Sequence, residues 1–576
     1  MTDAGTIVTF EPPGPGTWEH DLSHCPPAAT PLFQRVASTT MTTTYRAVFE
    51  QWGAPLETME VRFVEGKMYR RLVPLVGADR TGPPPPNAVL WLATRLHPAF
   101  RRRERLARKT LAERPYLDIV AGWYAGEREA WIDRNLAMQA IDPTALDDAE
   151  LAHHLEVLDD HHVQGWLRHH ELHGSDLGPI GDLLAHAKQW GLDPVDVLAL
   201  LRGASPATLE GQQHGRRMAD ALAAAGVDPS TITSIAEIRA LPDASAALDD
   251  YLELFGWRVV TSYDIEGLTT GELPSSTCAL VRACASEGVV SASADPAPVR
   301  ALVPQSERPM FDELLDDARR AYGMRDDNGP LTAEWPMGLL RRAYLEAGRR
   351  LAASGRLNEA GHVFELDTPE VAAALHGASS LSADEADRRA ERRRRQAAAT
   401  PPPVLGPPLP PPDTSAFPPG IRRVMNVIIA AVSNLEADPT VASEDLRGLG
   451  IGSGVHRGVA RVATDPDRVL DVMEPGDVLV APWTAPTYNA VLAIAGAVVV
   501  QEGGLLCHAA VMARELEIPA VIGCRGAMTL IGDGDLIDVD ADSGEVRVIE
   551  RAVQADLADA PPSGRDSYQE LRRFPP

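Results

Sequence analysis

The stretch Ala497–Gly523, AVVVQEGGLLCHAAVMARELEIPAVIG, decides the fold of the C-terminal part of the chain. Its β-branched run Ala497–Val500 predicts a buried strand, and Gly503-Gly504 permits a tight turn or a positive φ. Cys507 to Leu516 then has helical spacing and good helix formers, and a proline ends the helix before a second apolar strand. The pattern therefore predicts a strand–turn–helix–strand unit.

His508 stands at the start of this predicted helix, directly after the glycine turn. Free backbone N–H groups and the positive end of the helix dipole favour an anion at such a point. An imidazole placed there is suited to carry a phosphoryl group on one ring nitrogen, with the helix N-terminus holding the phosphoryl oxygens. The alternative interpretation is a histidine that caps the helix or fills the core.

The same stretch resembles the signature of the phosphohistidine (mobile) domain of PEP-utilising enzymes. In that family a Gly-Gly turn precedes Thr/Ser-His-Ala-Ala, and the following segments match Ala513–Glu515 and Ile518–Gly523. The resemblance implies that His508 is the phosphocarrier. Cys507 stands where the family has a hydroxyl residue, and a thiol is a weaker hydrogen-bonding group. The residues that the resemblance assigns to phosphoryl positioning are Gly503, Gly504, Cys507, Thr484 and Arg514.

Length and composition limit the possible functions. A chain of 576 residues is expected to form two to four domains. Its 54 basic and 81 acidic residues give a net charge of −27, which argues against binding to nucleic acid or to an anionic membrane. The sequence has neither an apolar run long enough for a membrane helix nor a signal sequence, and the five cysteines form no disulfide framework. We expect a cytoplasmic protein.

The order of patterns predicts a multidomain α+β protein, with a largely α-helical acceptor-binding domain followed by a C-terminal swivelling β/β/α phosphohistidine domain. A proline-rich stretch before the second domain predicts a semi-rigid tether, and Arg392 to Arg395 ahead of it are expected to form a solvated helix end. The predicted segments are an irregular β-containing lead-in (1–85), the acceptor-binding domain (86–381), a charged and proline-rich linker with a short helix (382–445), the phosphohistidine domain (446–551) and a polar tail (552–576).

Seven of the sixteen histidines lie between residues 153 and 173, and His162, His169 and His173 fall on one face of a predicted helix. The string HHELH is not the HExxH metalloprotease motif, because its glutamate is displaced. We interpret most of these histidines as core or pocket-lining side chains. The alternatives are acid–base work on an acceptor and a metal site; no metal is expected.

Two further segments resemble the acceptor-binding part of rifampin phosphotransferases and related synthases. The segment DDYLELFGWRVVTSYDIEGLTTGELP holds Arg258, Asp264 and Glu272 at family positions, which implies acceptor-site candidates. In AYGMRDDNGP, Arg325 occupies the place of a family arginine that steadies the transferring phosphoryl group. The alternative for Arg325 is a helix-end arginine paired with Asp326 or Asp327.

The resemblance covers the acceptor-binding and phosphohistidine parts but not the ATP-grasp part of that family. It implies one subunit of a two-component dikinase, similar to phenylphosphate synthase, in which a separate ATP-grasp subunit loads His508 and converts ATP to AMP and phosphate. ATP and Mg²⁺ are then expected on the partner, and no tightly bound cofactor here. The expected acceptor is a phenolic hydroxyl of a small aromatic molecule. The alternatives are an antibiotic or other alcohol as acceptor, and a non-enzymatic phosphohistidine relay.

Overall fold

The computed structural model describes residues 8–21, 27–78, 86–285, 294–378, 381–407, 413–435, 445–463, 469, 472–484 and 488–552. By contact, the chain divides into two compact units. Unit 1 comprises Met1–Ala207, Ser262–Gly267 and Asp295–Val432. Unit 2 comprises Thr208–Thr261, Leu268–Ala294 and Ser433–Pro576.

Most of the described residues are helical, as the multidomain α+β prediction requires. Two π-helical turns interrupt the α-helices, at Trp123–Glu127 and Gly329–Glu334. The α-helices are α1 Pro31–Trp52, α2 Asn87–Leu96, α3 Pro98–Glu113, α4 Pro115–Gly122, α5 Arg128–Gln139, α6 Asp148–Trp190, α7 Pro194–Ala199, α8 Pro206–Ala224, α9 Ile235–Arg239, α10 Pro242–Phe255, α11 Pro274–Ala283, α12 Ala297–Leu302, α13 Arg308–Asn328, α14 Trp335–Ala353, α15 Thr368–Leu375, α16 Ala383–Ala398, α17 Pro419–Ser433, α18 Asn489–Leu492, α19 His508–Leu516 and α20 Ala527–Leu530.

Two sheets accompany these helices, one in each unit. The unit 1 sheet is antiparallel in the order β2-β3-β1-β4, and the unit 2 sheet is mixed in the order β11-β10-β6-β7-β8-β9-β5. The strands are β1 Trp18–His20, β2 Leu56–Val64, β3 Lys67–Pro74, β4 Val404–Leu405, β5 Leu449–Ile451, β6 Val455–Val462, β7 Val478–Ala481, β8 Ala497–Val500, β9 Ala520–Ile522, β10 Leu536–Asp540 and β11 Glu545–Glu550.

Helix α1 corrects the prediction of an irregular lead-in. Its threonine-rich sequence has low helix propensity, because β-branched side chains lose rotamer freedom in a helix. In the structure the hydroxyl of Thr44 donates to the carbonyl of Thr40, one turn earlier, at 2.7 Å. Thr30 caps the N-terminus, and one face is buried, including Leu32 and Phe33. Tertiary packing against α6 therefore overrides the local preference.

Helix α6 is the central element of unit 1 and carries the predicted histidine cluster. A capping box between Asp147 and Glu150 starts it, and Gly191 ends it in the left-handed conformation. Helices α1, α13, α14 and α15 all pack on α6. At Gly165 the backbone of the π-helical turn comes so close that a Cβ atom would lie 1.8 Å from the carbonyl oxygen of Thr332. Only glycine permits this approach.

The basic C-terminal end of α16 is less exposed to solvent than predicted. Arg393 is only 18% exposed and pairs with Glu365 at 2.6 Å, and it also pairs with Glu266. Arg392 and Arg394 are 68% and 69% exposed, as a solvated helix end requires. The prediction of a fully solvated end was therefore wrong for Arg393, because two carboxylates distant in sequence neutralise it.

Unit 2 contains the predicted strand–turn–helix–strand element. Strands β7, β8 and β9 pair in parallel, and every residue of β7 and β8 is buried. The predicted C-terminal hairpin is formed by β10 and β11. Helices α8 to α11 also belong to this unit, and α11 contacts α18 of the C-terminal region. The segment predicted as one acceptor domain is therefore shared between the two compact units. The predicted domain boundaries stay predictions.

None of the described helices is both long and apolar enough to cross a membrane. Residues 408–412 of the predicted proline-rich tether lie outside the described residues. So does the polar tail from residue 553.

Two glycines give a matched test of this packing. Gly165→Ala is expected to lower the free energy of unfolding by about 1–3 kcal/mol, because the new methyl group overlaps the backbone at Thr332. Gly122→Ala is the control: Gly122 is helical with open space around its Cβ position, so alanine should stabilise by about 0.5–1 kcal/mol. Thermal unfolding of both variants measures the difference, and equal shifts would contradict the proposed close approach.

Candidate functional site

The turn between β8 and α19 is shaped by one glycine. Gly503 has a φ of 110°, which disfavours any residue with a Cβ atom. A Cβ atom at this position would also lie 2.8 Å from the sulfur of Cys507. The turn therefore packs directly against the residue that precedes His508, and it needs glycine for two independent reasons.

Helix α19 begins at His508, as predicted. Cys507 is its N-cap, with the extended backbone of that position (φ −70°, ψ 163°), and its side chain makes no capping hydrogen bond. The backbone N–H of Gly504 donates to the carbonyl of Leu435 at 3.0 Å, which anchors the approach to the helix. His508 and Cys507 are half-buried, so the helix start is open to solvent on one side.

Thr484 lies beside the imidazole of His508. Its hydroxyl oxygen is 2.9 Å from His508 Nδ1, a hydrogen-bond distance. This contact fixes the orientation of the ring. When Nδ1 carries the proton and donates it to Thr484, the lone pair of the neutral imidazole is on Nε2, which is then the nucleophilic nitrogen.

Arg514 is hydrogen-bonded to the turn that precedes His508. Its side chain is buried, and Nη2 donates to the carbonyl oxygen of Leu505 at 2.7 Å. Arg514 follows His508 by six positions, which places the two side chains on different faces of α19. The expectation that Arg514 contacts a phosphoryl group therefore stays a prediction, while its contact with the turn is structural.

In unit 1, two of the predicted acceptor-site histidines lie close to each other on α6. The ring centres of His169 and His173 are 4.4 Å apart. His169 Nδ1 is hydrogen-bonded to the side-chain oxygen of Asn328, and His173 Nδ1 is 3.2 Å from Asp176 Oδ2. Arg325 lies in the last turn of α13, on the same helix as Asn328.

Of the remaining five histidines of the cluster, His154, His161, His162 and His170 are buried, as most were expected to be, and His153 is exposed. His162 is completely buried, and burial lowers its pKa to about 3, so it is neutral. His161 bonds to the side-chain oxygen of Asn135 at 2.8 Å, and burial lowers its pKa to about 4. His170 Nδ1 contacts the carbonyl oxygen of Trp166 at 2.8 Å. The placement of His162 gives no support to its acceptor-site role.

Asp264 stabilises the fold of unit 1. It is fully buried and accepts hydrogen bonds from the N–H of Thr30 at 2.8 Å and the hydroxyl of Thr30 at 2.6 Å. Burial raises the pKa of this carboxyl to about 6, although the hydrogen bonds from Thr30 oppose the shift. Asp264 thus joins its loop to the N-cap of α1.

Arg258 and Glu272 belong to unit 2, whereas Asp264 and Arg325 belong to unit 1. The guanidinium of Arg258 lies over the ring of Phe255, 4.1 Å from its centre. Glu272 accepts the backbone N–H of Thr269 at 2.9 Å in a capping box. Asp327 was one of the two aspartates considered as a partner for Arg325. In the structure it accepts a hydrogen bond from Arg128 at 3.2 Å.

The structure adds two polar residues that the sequence analysis did not select, Asp176 and Asn328. Asp176 stands three residues after His173, and this i,i+3 spacing of imidazole and carboxylate was a signal available in the sequence. Asn328 comes from a helix about 150 residues away and carried no local signal. Within the described residues, no group of three or more His, Cys, Asp and Glu side chains is arranged to hold a metal ion.

Residues 473–544, which include Thr484 and His508, match the family model described as PEP-utilising enzyme, mobile domain. Among similar proteins, chondramide synthase of Chondromyces crocatus is 26% identical over 574 residues, which cover 92% of this chain and 14% of that protein. An uncharacterised phosphotransferase of Bacillus subtilis is 39% identical over 105 residues, 18% of this chain and 12% of that protein.

Phosphoenolpyruvate synthase of Pseudomonas aeruginosa is 39% identical over 104 residues, which cover 18% of this chain and 13% of that protein. The chain thus spans between 12% and 14% of the length of these three curated relatives.

Cys507 provides a stability test at the start of α19. Cys507→Ser is expected to stabilise the protein by about 0.5–1 kcal/mol, because a serine oxygen accepts from a free backbone N–H at the N-cap. Cys507→Ala is the matched control, since it differs from serine only by the hydroxyl and should bring no gain. Thermal unfolding compares the three proteins, and equal midpoints for serine and alanine would count against the cap geometry.

Proposed function

We propose that this chain, whose residues 473–544 are a mobile domain of the PEP-utilising family, carries a phosphoryl group on His508 and transfers it to a hydroxyl group. The observation that carries the proposal is the contact of Thr484 with His508 Nδ1 at the start of α19. A transient phosphohistidine requires a nucleophilic ring nitrogen, a fixed ring orientation and groups that stabilise the phosphoryl oxygens. His508, its contact with Thr484 and the N-terminus of α19 provide these three features.

The phosphoryl group is carried on Nε2 in this proposal. Thr484 holds Nδ1, and a lone pair on Nε2 is then available to form the N–P bond. The backbone N–H groups of the first turn of α19 and the positive end of its dipole favour the phosphoryl oxygens nearby. The similarity to phosphoenolpyruvate synthase and to a phosphotransferase supports this class of chemistry.

A separate protein is proposed as the donor of the phosphoryl group. We assign loading of His508 to a separate ATP-grasp subunit that binds ATP and Mg²⁺ and releases AMP and phosphate. The support is the resemblance of the sequence to two-component dikinases. Under this proposal the chain is a phosphotransferase subunit of the dikinase type in a heteromeric complex, and it needs no tightly bound cofactor of its own.

The acceptor is proposed to be a small phenolic molecule bound in the helical region of unit 1. The support is a concentration of aromatic, imidazole and charged side chains around α6, which suits a hydroxylated ring. Arg325, in the last turn of α13, is proposed to balance charge on the transferring group. An alcohol such as an antibiotic is the second candidate acceptor.

His508→Ala should abolish phosphorylation. Wild-type chain incubated with a candidate ATP-grasp subunit, ATP and Mg²⁺, or with phosphoramidate as a small-molecule donor, should gain one acid-labile phosphate that the variant lacks. Intact-protein mass before and after mild acid measures it. His153→Gln, on the exposed side of α6, is the control and should still be labelled. Equal labelling of wild type and His508→Ala would refute the carrier role.

Thr484→Val removes the hydroxyl while keeping the shape of the side chain. We expect the rate of His508 phosphorylation to fall about tenfold, because the ring loses the contact that fixes its orientation and proton position. Thr484→Ser keeps the hydroxyl and should retain most of the rate. The rates are measured from time courses of acid-labile phosphate incorporation. An unchanged rate in Thr484→Val would show that the Thr484 hydroxyl has no role in phosphorylation of His508.

A further inference from the structure

A buried polar cluster lies where α6 meets the end of α13 and the π-helical turn that follows it. Its members are His169, His173, Asp176, Asn328 and Glu334, all in unit 1. Asp176 and Asn328 are completely buried, and His169 is 7% exposed. The side chain of His173 is 16% exposed, which makes it the most accessible of these four histidine, aspartate and asparagine groups.

Asp176 is held in a specific orientation. Its Oδ2 accepts a hydrogen bond from Asn328 Nδ2 at 3.0 Å and lies 3.2 Å from His173 Nδ1. Its Oδ1 is buried and has no hydrogen-bond partner among the described residues. A buried carboxylate with one unpaired oxygen is costly, and the contact with His173 offsets part of that cost. When His173 Nδ1 carries the ring proton and donates it to Asp176, Nε2 holds the lone pair that can accept a proton.

Aromatic side chains pack beside this cluster. Tyr263 and His169 both pack against Trp166, with ring centres 6.4 and 6.2 Å from the indole. At Gly329 an added Cβ atom would meet His169 Cε1 at 3.7 Å and Glu334 Oε1 at 3.8 Å, so the missing side chain leaves room for an atom between them.

Charged groups also face this cluster. Burial raises the pKa of Tyr263, with Glu334 acting in the same direction and Arg325 opposing it. Burial likewise raises the pKa of Tyr45, where Arg70 opposes the shift and Asp176 adds to it. Tyr263 and Tyr45, which lie beside the cluster, are thus each near carboxylates and a guanidinium of unit 1.

We propose that His173 is the base that removes the proton from the acceptor hydroxyl, and that Asp176 positions it through Nδ1. This inference rests on the proposed function, in which His508 delivers the phosphoryl group. The acceptor O–H bond breaks and its proton goes to His173 Nε2. The freed oxygen forms a bond to phosphorus as the N–P bond breaks, and the electron pair of that bond returns to the ring nitrogen of His508.

The test compares two acceptors of different acidity. At a mildly alkaline pH, below the pKa of about 10 of an ordinary phenol, phenol keeps its proton and needs a base, whereas 4-nitrophenol is largely ionised and does not. In His173→Gln, transfer from phosphorylated His508 to phenol should fall about a hundredfold or more, while transfer to 4-nitrophenol should fall less than about threefold. Loading of His508, measured as acid-labile phosphate, should stay unchanged, as should every property of the His153→Gln control.

Asp176→Asn tests the positioning role with a side chain of the same shape. It should reproduce the acceptor-dependent loss of His173→Gln, and the double variant should lose no more than His173→Gln alone, because the two residues act as a unit. Thermal unfolding identifies variants that lose the fold. Equal losses for both phenols in the two folded variants would overturn the inference. Wild-type chain that loads His508 but phosphorylates neither phenol would overturn the proposed function, and with it this inference.

Discussion

The parallel pairing of β7, β8 and β9 is the constraint on which the site in unit 2 depends. Parallel strands end at the same edge of a sheet, so the segments that follow β7 and β8 leave side by side. Thr484 follows the end of β7 by three residues, and His508 follows the end of β8 by eight. The hydrogen bond between them is therefore a product of sheet topology and of a glycine turn that fits the space available.

The C-terminal site was predictable from sequence because its signals are local. A β-branched run, two glycines and a helical spacing lie within 27 consecutive residues, and each has one strong structural interpretation. Helix α1 was not predictable in this way. Its threonines favour strands in isolation, and the helix forms because its apolar face meets α6, a contact that spans more than a hundred residues. The Thr44 hydroxyl is satisfied by a carbonyl one turn earlier.

In the histidine cluster, helical periodicity predicts which face of the helix a residue lies on but not how deeply it is buried. Helical spacing correctly placed His162, His169 and His173 on one face of α6. It gave no information on depth, which separates His162 in the core from His173 beside Asp176. That difference depends on what packs over each turn of α6, and the packing elements come from distant parts of the chain. The same reason explains why Arg393 was expected in solvent and is found between two carboxylates.

The division of the chain into units has a consequence for its synthesis. Unit 2 is assembled from three separate segments, of which residues 208–261 and 268–294 leave the ribosome well before the strands that complete it. At a typical rate of about 5–20 residues per second, these helices wait on the order of 10–60 s for their partners. Helix α11 therefore stays without its contact with α18 during that interval, although its contacts with α9 can already form. For most of the same interval unit 1 is incomplete as well, because its last segment ends at Val432.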